Sequence, residues 1–138
     1  MYKSILLASD GSDHSLRSAN HAIQLAKCSG GKIDLVYVVD GDTSKQDVLH
    51  YSNKYEIAKA RRAKVSSVEE LLTEENVEYE VHILHGEPGP TIVEFANNHD
   101  FDCAVVGSRG LNNLQTMILG SVSHKVAKRV ECPVLIVK

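Results

Sequence analysis

Five short apolar runs punctuate the chain, and between them the hydrophobic positions recur at the three-to-four-residue spacing of a helix face. The runs are "SILLAS" (4–9), "KIDLVYVVD" (32–40), "YEVHILHG" (79–86), "FDCAVVGS" (101–108) and "CPVLIVK" (132–138). Each has strand length, is rich in Val, Ile and Leu, and is bounded by Gly, Pro, Asp or Ser, so five β-strands are expected. Leu16, Ala19, Ile23 and Ala26 share one face of a helix from Ser12 to about Ser29, with Ser12 as the expected N-cap and Gly30-Gly31 as the stop. Ala58, Val65, Val68 and Leu72 predict a second, long helix from about Ser52 to Glu75. Ile92, Phe95 and Ala96 mark a short third one entered through "GEPGP". Val122, Val126 and Val130 mark a fourth that ends at Cys132-Pro133.

The resulting order, βαβαβαβαβ, fits an α/β protein: right-handed crossovers give a five-stranded parallel sheet with helices on both faces. Burial on both sides explains why most strands read as continuous apolar runs. The third differs, because Tyr79, Val81 and Ile83 alternate with Glu80, His82 and Leu84, which places it at a sheet edge. "GDTSKQDVLH" (41–50), a mainly polar stretch, reads as a long loop able to fold over a ligand.

Composition narrows the function classes. The 138 residues are 43% hydrophobic and 24% charged, a profile that predicts one globular domain spanning 1–138 with a substantial core. Since no apolar run reaches membrane-spanning length and "MYKSILLASD" turns polar early, a cytoplasmic protein without membrane association is expected. Fifteen basic against eighteen acidic residues, with no basic block, argue against nucleic acid as a partner. Cys28, Cys103 and Cys132 lack CxxC spacing and form an odd set, so reduced structural thiols are expected.

The chemistry concentrates at strand ends. Open α/β sheets bind ligands beyond the carboxyl ends of their strands, where Asp10, Val38 to Asp40 and Gly107 fall. Gly107 permits a tight exit from its strand, and Gly110 permits close approach of backbone to a ligand. Gly120 and Ser121 open the fourth helix, whose unpaired amides and dipole favour an anion. Together these residues outline a phosphate cradle, although a plain strand-to-helix turn with a Gly-Ser cap is the alternative. The spacing matches neither GxxxxGK[ST] nor a GxGxxG after the first strand. Asp10 reads equally well as a turn residue near Ser12.

"ILLASDGS", "VYVVD", "HGEPGPTIVEFA" and "GSRGLNNLQTMILGSVSHKVAKRVECPVLIVK" together resemble the universal stress protein family over essentially the whole chain. Gly107, Gly110, Gly120 and Ser121 match the G-x2-G-x9-G-[S/T] pattern of its ATP-binding subgroup. The resemblance implies a Rossmann-like, adenine nucleotide alpha hydrolase-like fold with strand order 3-2-1-4-5, an adenine-nucleotide site between strands one and four, and a homodimer. It places Asp10 beside ribose and phosphates, and the Val38 backbone against the adenine edge. Gly107, Ser108, Arg109 and Gly110 would line the ribose and α-phosphate, while Gly120, Ser121, Val122 and Ser123 would hold the outer phosphates. The expected cofactor is ATP, or ADP or AMP, with Mg2+ or Mn2+ held mainly by phosphate oxygens and reached by Asp10 directly or through water.

The implied role is an ATP-binding regulatory or stress-response module, with no residue assigned to catalysis. His124 and His14 lie nearest the cradle in sequence without forming a constellation that would activate water. The rival readings are a slow ATPase or autophosphorylating phosphotransferase using the same site, and a thiol redox module built on Cys103 or Cys132. Val134 to Val137 form an apolar strand at the chain end, so pairing of two such edges is the expected dimer contact. An interior position for that strand remains the alternative.

Overall fold

The computed structural model describes residues 1–108 and 120–138. Strand β1 (Ser4–Ser9) occupies the centre of a five-stranded sheet with β2 (Lys32–Val39) on one side and β4 (Cys103–Gly107) on the other. Strand β3 (Tyr79–His85) flanks β2 and β5 (Val134–Val137) flanks β4, giving the order 3-2-1-4-5, every pair parallel. The Rossmann-like expectation and the edge position of β3 are both met.

The pleat divides the apolar residues of each strand between two cores. Ile5 and Leu7 of β1, Ile33, Leu35, Tyr37 and Val39 of β2, and Cys103 and Val105 of β4 face α1 (His14–Ser29) and α4 (Ser66–Glu74). Leu6, Val36, Ala104 and Val106 point the other way, onto α5 (Pro88–Asn97) and α6 (Ser121–Arg129). Ile5, Leu6, Leu7, Ile33 and Leu35 are all 0% exposed, and each such side chain contributes about 1.5–3 kcal/mol of transfer free energy.

The helices depart from the sequence reading in three places. Residues 41–50 form α2 (Gly41–His50) rather than a loop, because Asp40 caps them by accepting the Thr43 amide at 2.7 Å. This helix has no buried residue, which is why no hydrophobic period announced it. The stretch read as one long helix is two, α3 (Lys54–Ala63) and α4. At the break the Lys64 and Val65 amides bond carbonyls three residues back, Arg61 and Arg62, a 3₁₀ tightening that ends the first helix. Val65 is buried there, whereas Ala58 faces solvent. Finally, Ser12 does not cap α1: Asp13 holds the N-cap position without a side-chain bond, and the Ser12 hydroxyl is buried with no partner.

Gly31 sits where only glycine fits, since a Cβ there would lie 2.5 Å from the Tyr2 carbonyl oxygen. The central strand is further tied at its start by Asp102, whose Oδ2 accepts the amides of Lys3 and Ser4 at 2.8 and 2.9 Å. The Asp102 amide in turn donates to the Ser4 carbonyl at 2.7 Å.

Candidate functional site

The ladder between β1 and β4 starts at Ile5 with Cys103 and ends at Leu7 with Val105. Beyond that point the chain leaves β1 for α1 on one face, while α6, the next described helix after β4, packs on the other. The divergence opens a cavity of about 260 Å³ at the carboxyl ends of the strands. Its walls come from β1, β2, β4 and the first turns of α1, α2, α5 and α6.

Asp10 lies at the β1 exit, where its Oδ1 accepts the Ser12 amide at 3.0 Å and the Ser15 hydroxyl at 3.2 Å. Asp10 thus shapes the turn and also lines the cavity. The turn also requires Gly11, whose φ of +82° lies in the left-handed region. Further along α1, Ser18 is 1% exposed, borders the cavity and has an unpartnered hydroxyl. An orphaned buried hydroxyl costs about 1–3 kcal/mol, which a polar ligand or water in the cavity would recover.

On the opposite wall, α6 points its N-terminus at the cavity. Its first helical bond runs from the His124 amide to the Gly120 carbonyl at 2.9 Å, so the amides of Ser121, Val122 and Ser123 precede the ladder. These groups and the helix dipole favour negative charge. Ser123 is 2% exposed and donates its hydroxyl to the Gly120 carbonyl at 3.1 Å, which fixes the turn instead of presenting the hydroxyl outward.

Strand β2 outruns its partner, the last β1 pair being Ser9 with Tyr37, and so Val38 reaches the cavity beyond the end of the β1 ladder. Asp40 and Thr43 close that side from the start of α2. The Thr43 amide and hydroxyl hold the Asp40 carboxyl below the usual carboxylate range. Burial, with the neighbouring Asp47 and Asp40 carboxylates adding to it, pushes the Tyr37 phenol up, so it stays protonated. Behind α2 stands Arg61 of α3, bonded through Nε to Asp47 at 3.0 Å, through Nη2 to Ser44 at 3.3 Å and through Nη1 to His85 at 2.7 Å.

Eight of the expected site residues thus line one cavity: Asp10, Val38, Gly107, Ser108, Gly120, Ser121, Val122 and Ser123. Arg109 and Gly110 lie outside the described residues. Asp40, expected at the end of the second strand, lines the cavity too, whereas the sequence reading missed Ser15, Ser18, Tyr37 and Thr43; the serines at the start of an otherwise apolar α1 face were the available signal. His14 also borders the cavity. The two cysteines of the redox reading are poorly suited to it, because burial pushes both the Cys103 and Cys132 thiols up, away from the reactive thiolate. Among the described residues, no helix is long and apolar enough to cross a membrane.

The family model for the universal stress protein family matches residues 1–138. The chain is 35% identical over 143 residues to universal stress protein MJ0531 of Methanocaldococcus jannaschii, covering 100% of this chain and 83% of that one. A universal stress protein solved in complex with cAMP superimposes with a TM-score of 0.77 at 26% identity, over 99% of this chain and 97% of the other. The universal stress protein from Archaeoglobus fulgidus in complex with dAMP gives a TM-score of 0.72 at 25% identity, over 99% and 98%.

Proposed function

Because the chain belongs to the universal stress protein family, we propose that its cavity binds an adenine nucleotide, ATP foremost, and that the protein acts as a nucleotide-dependent regulatory module in the cytoplasm. The observation that carries the reading is the α6 N-terminus facing Asp10 across the β1–β4 divergence. Two adenine nucleotides, cAMP and dAMP, are held by proteins of the same fold. Here the Val38 backbone would meet the adenine edge, Gly107 and Ser108 the ribose and α-phosphate, and the amides at Ser121, Val122 and Ser123 the outer phosphates. With Gly110 completing the G-x2-G-x9-G-S spacing, the chain falls in the ATP-binding subgroup. A Mg2+ or Mn2+ ion held mainly by phosphate oxygens would offset charge between triphosphate and Asp10, which would reach it directly or through water.

Mass spectrometry of the purified protein should find retained ATP or ADP, and calorimetry should rank ATP above AMP. No saturable binding of either would overturn the reading, and steady phosphate release lost in Asp10→Ala would turn it into an ATPase. Ser121→Ala removes a hydroxyl while keeping the backbone donors, so ATP should weaken about three- to tenfold, roughly 0.7–1.4 kcal/mol, and AMP much less. Equal losses for the two would place Ser121 away from the outer phosphates.

The same reading includes a homodimer. Strand β5 is an edge, paired inward through the Ala104 amide to Pro133 at 2.9 Å and the Ser108 amide to Val137 at 2.8 Å. Val134, Leu135 and Ile136 remain only half-buried in one chain. Antiparallel pairing of two β5 edges about a two-fold axis would cover them. Light scattering should give twice the 15.1 kDa chain mass at tens of micromolar. A folded 15.1 kDa monomer at that concentration would sink the dimer and leave the nucleotide site standing.

A further inference from the structure

We propose that Asp34, Glu80 and His82, on the face that β2 and β3 turn toward α5, form a binding site for a divalent transition cation of the Zn2+ or Co2+ class. The parallel register sets Asp34 directly beside Glu80 and Val36 beside His82. All three side chains therefore project from one face, and their ligand atoms lie within 4.8 Å of one another. His82 Nε2 is 2.7 Å from Asp34 Oδ1 and 3.9 Å from Glu80 Oε2.

A tetrahedral ion with bonds of about 2.0–2.2 Å needs its ligand atoms roughly 3.3–3.5 Å apart, so only modest side-chain rotation is required. Imidazole nitrogen beside two carboxylate oxygens suits Zn2+ or Co2+ better than Mg2+, which takes oxygen and water. Asp34 and His82 are 14% and 23% exposed at the side chain, and the Phe95 ring of α5 packs 4.9 Å from the imidazole, restricting its rotation. Glu80 is the exposed member, at 57%.

A cation of the chain itself competes for one of these ligands. The Lys32 ammonium bonds Glu80 Oε2 at 3.1 Å, and that bond holds the Glu80 carboxyl below its usual range. Metal binding must displace this ammonium from Glu80, a requirement that a change at Lys32 tests. From Asp34 to Val38 is about 13 Å along β2, so the proposed ion is separate from any cation carried on a nucleotide in the cavity.

The test is calorimetry with Zn2+, and visible d–d absorption with Co2+, on the nucleotide-free chain carrying Cys28→Ser to remove an exposed thiol. One equivalent should bind, at least tenfold more weakly in Asp34→Asn and in His82→Gln. Lys32→Met should tighten binding at least twofold, an effect that no merely structural role of these residues would give. Zn2+ affinity unchanged in both ligand variants, or no gain with Lys32→Met, overturns the proposal. Circular dichroism without metal confirms that each variant is folded, and should Asp34→Asn fail to fold, His82→Gln and Lys32→Met decide.

Discussion

Replacing Ala8 with phenylalanine should cost at least a hundredfold in adenine-nucleotide affinity, about 2.7 kcal/mol, and leave the fold intact. Ala8 follows the last residue of β1 that pairs with β4, faces the same way as Leu6 and Val36, and lines the cavity. A phenyl ring there would project into the space of about 260 Å³ that the nucleotide is proposed to fill. Overpacking a closed core costs about 1–3 kcal/mol, but here the added atoms enter a void and bury apolar surface, so thermal stability should hold. Calorimetry and a melting curve on Ala8→Phe check both halves. A folded variant that binds ATP within threefold of the wild type would show that the nucleotide does not occupy this cavity.

Arg61→Met should loosen one wall of the site with little effect on the whole. Helix α2 buries no side chain, and Arg61 holds it through Asp47 and Ser44 while gripping His85 at the end of β3. The Arg61 and Asp47 side chains are 14% and 16% exposed, enough burial for the bonds to matter. Losing charged hydrogen bonds of this kind costs about 2 kcal/mol, so the open population of α2 should rise roughly thirtyfold. Hydrogen exchange should show faster turnover of the α2 amides while β1 and β4 stay protected. Nucleotide affinity should fall with it, because Asp40 and Thr43 lose their position at the cavity edge. Unchanged exchange in α2 would mean that another contact docks this helix.

The central sheet was readable because burial on both faces forces near-continuous apolar runs, and Glu80 and His82 betrayed the one strand that interrupts the rule. The cavity was readable for a related reason: Asp10, Gly107, Gly120 and Ser121 sit where chain direction changes, and such turns restrict residue type. Helix α2 was not readable, because a helix held by one arginine from another element leaves no hydrophobic period in its own sequence. The break at Val65 was hidden for the opposite reason. Its apolar spacing continues smoothly across a 3₁₀ turn that only backbone bonding reveals. The lining from Ser15, Ser18 and Tyr37 depends on which face of α1 and β2 meets the cavity, and that is settled by packing between distant segments.

The central place of β1 also sets a problem of timing during synthesis. Strands β1, β2 and β3 can assemble once residue 85 has emerged, yet the partner for the other edge of β1, residues 103–107, comes later. At translation speeds of about 5–20 residues per second, the lag is roughly one to four seconds. For that interval the nascent half-sheet carries an uncovered edge bearing Ile5, Leu6 and Leu7, the segment most open to pairing with another nascent chain or to capture by a chaperone. Asp102 is made immediately before β4 and clamps the amides of Lys3 and Ser4. It is therefore placed to align the late strand against the early one as that window closes.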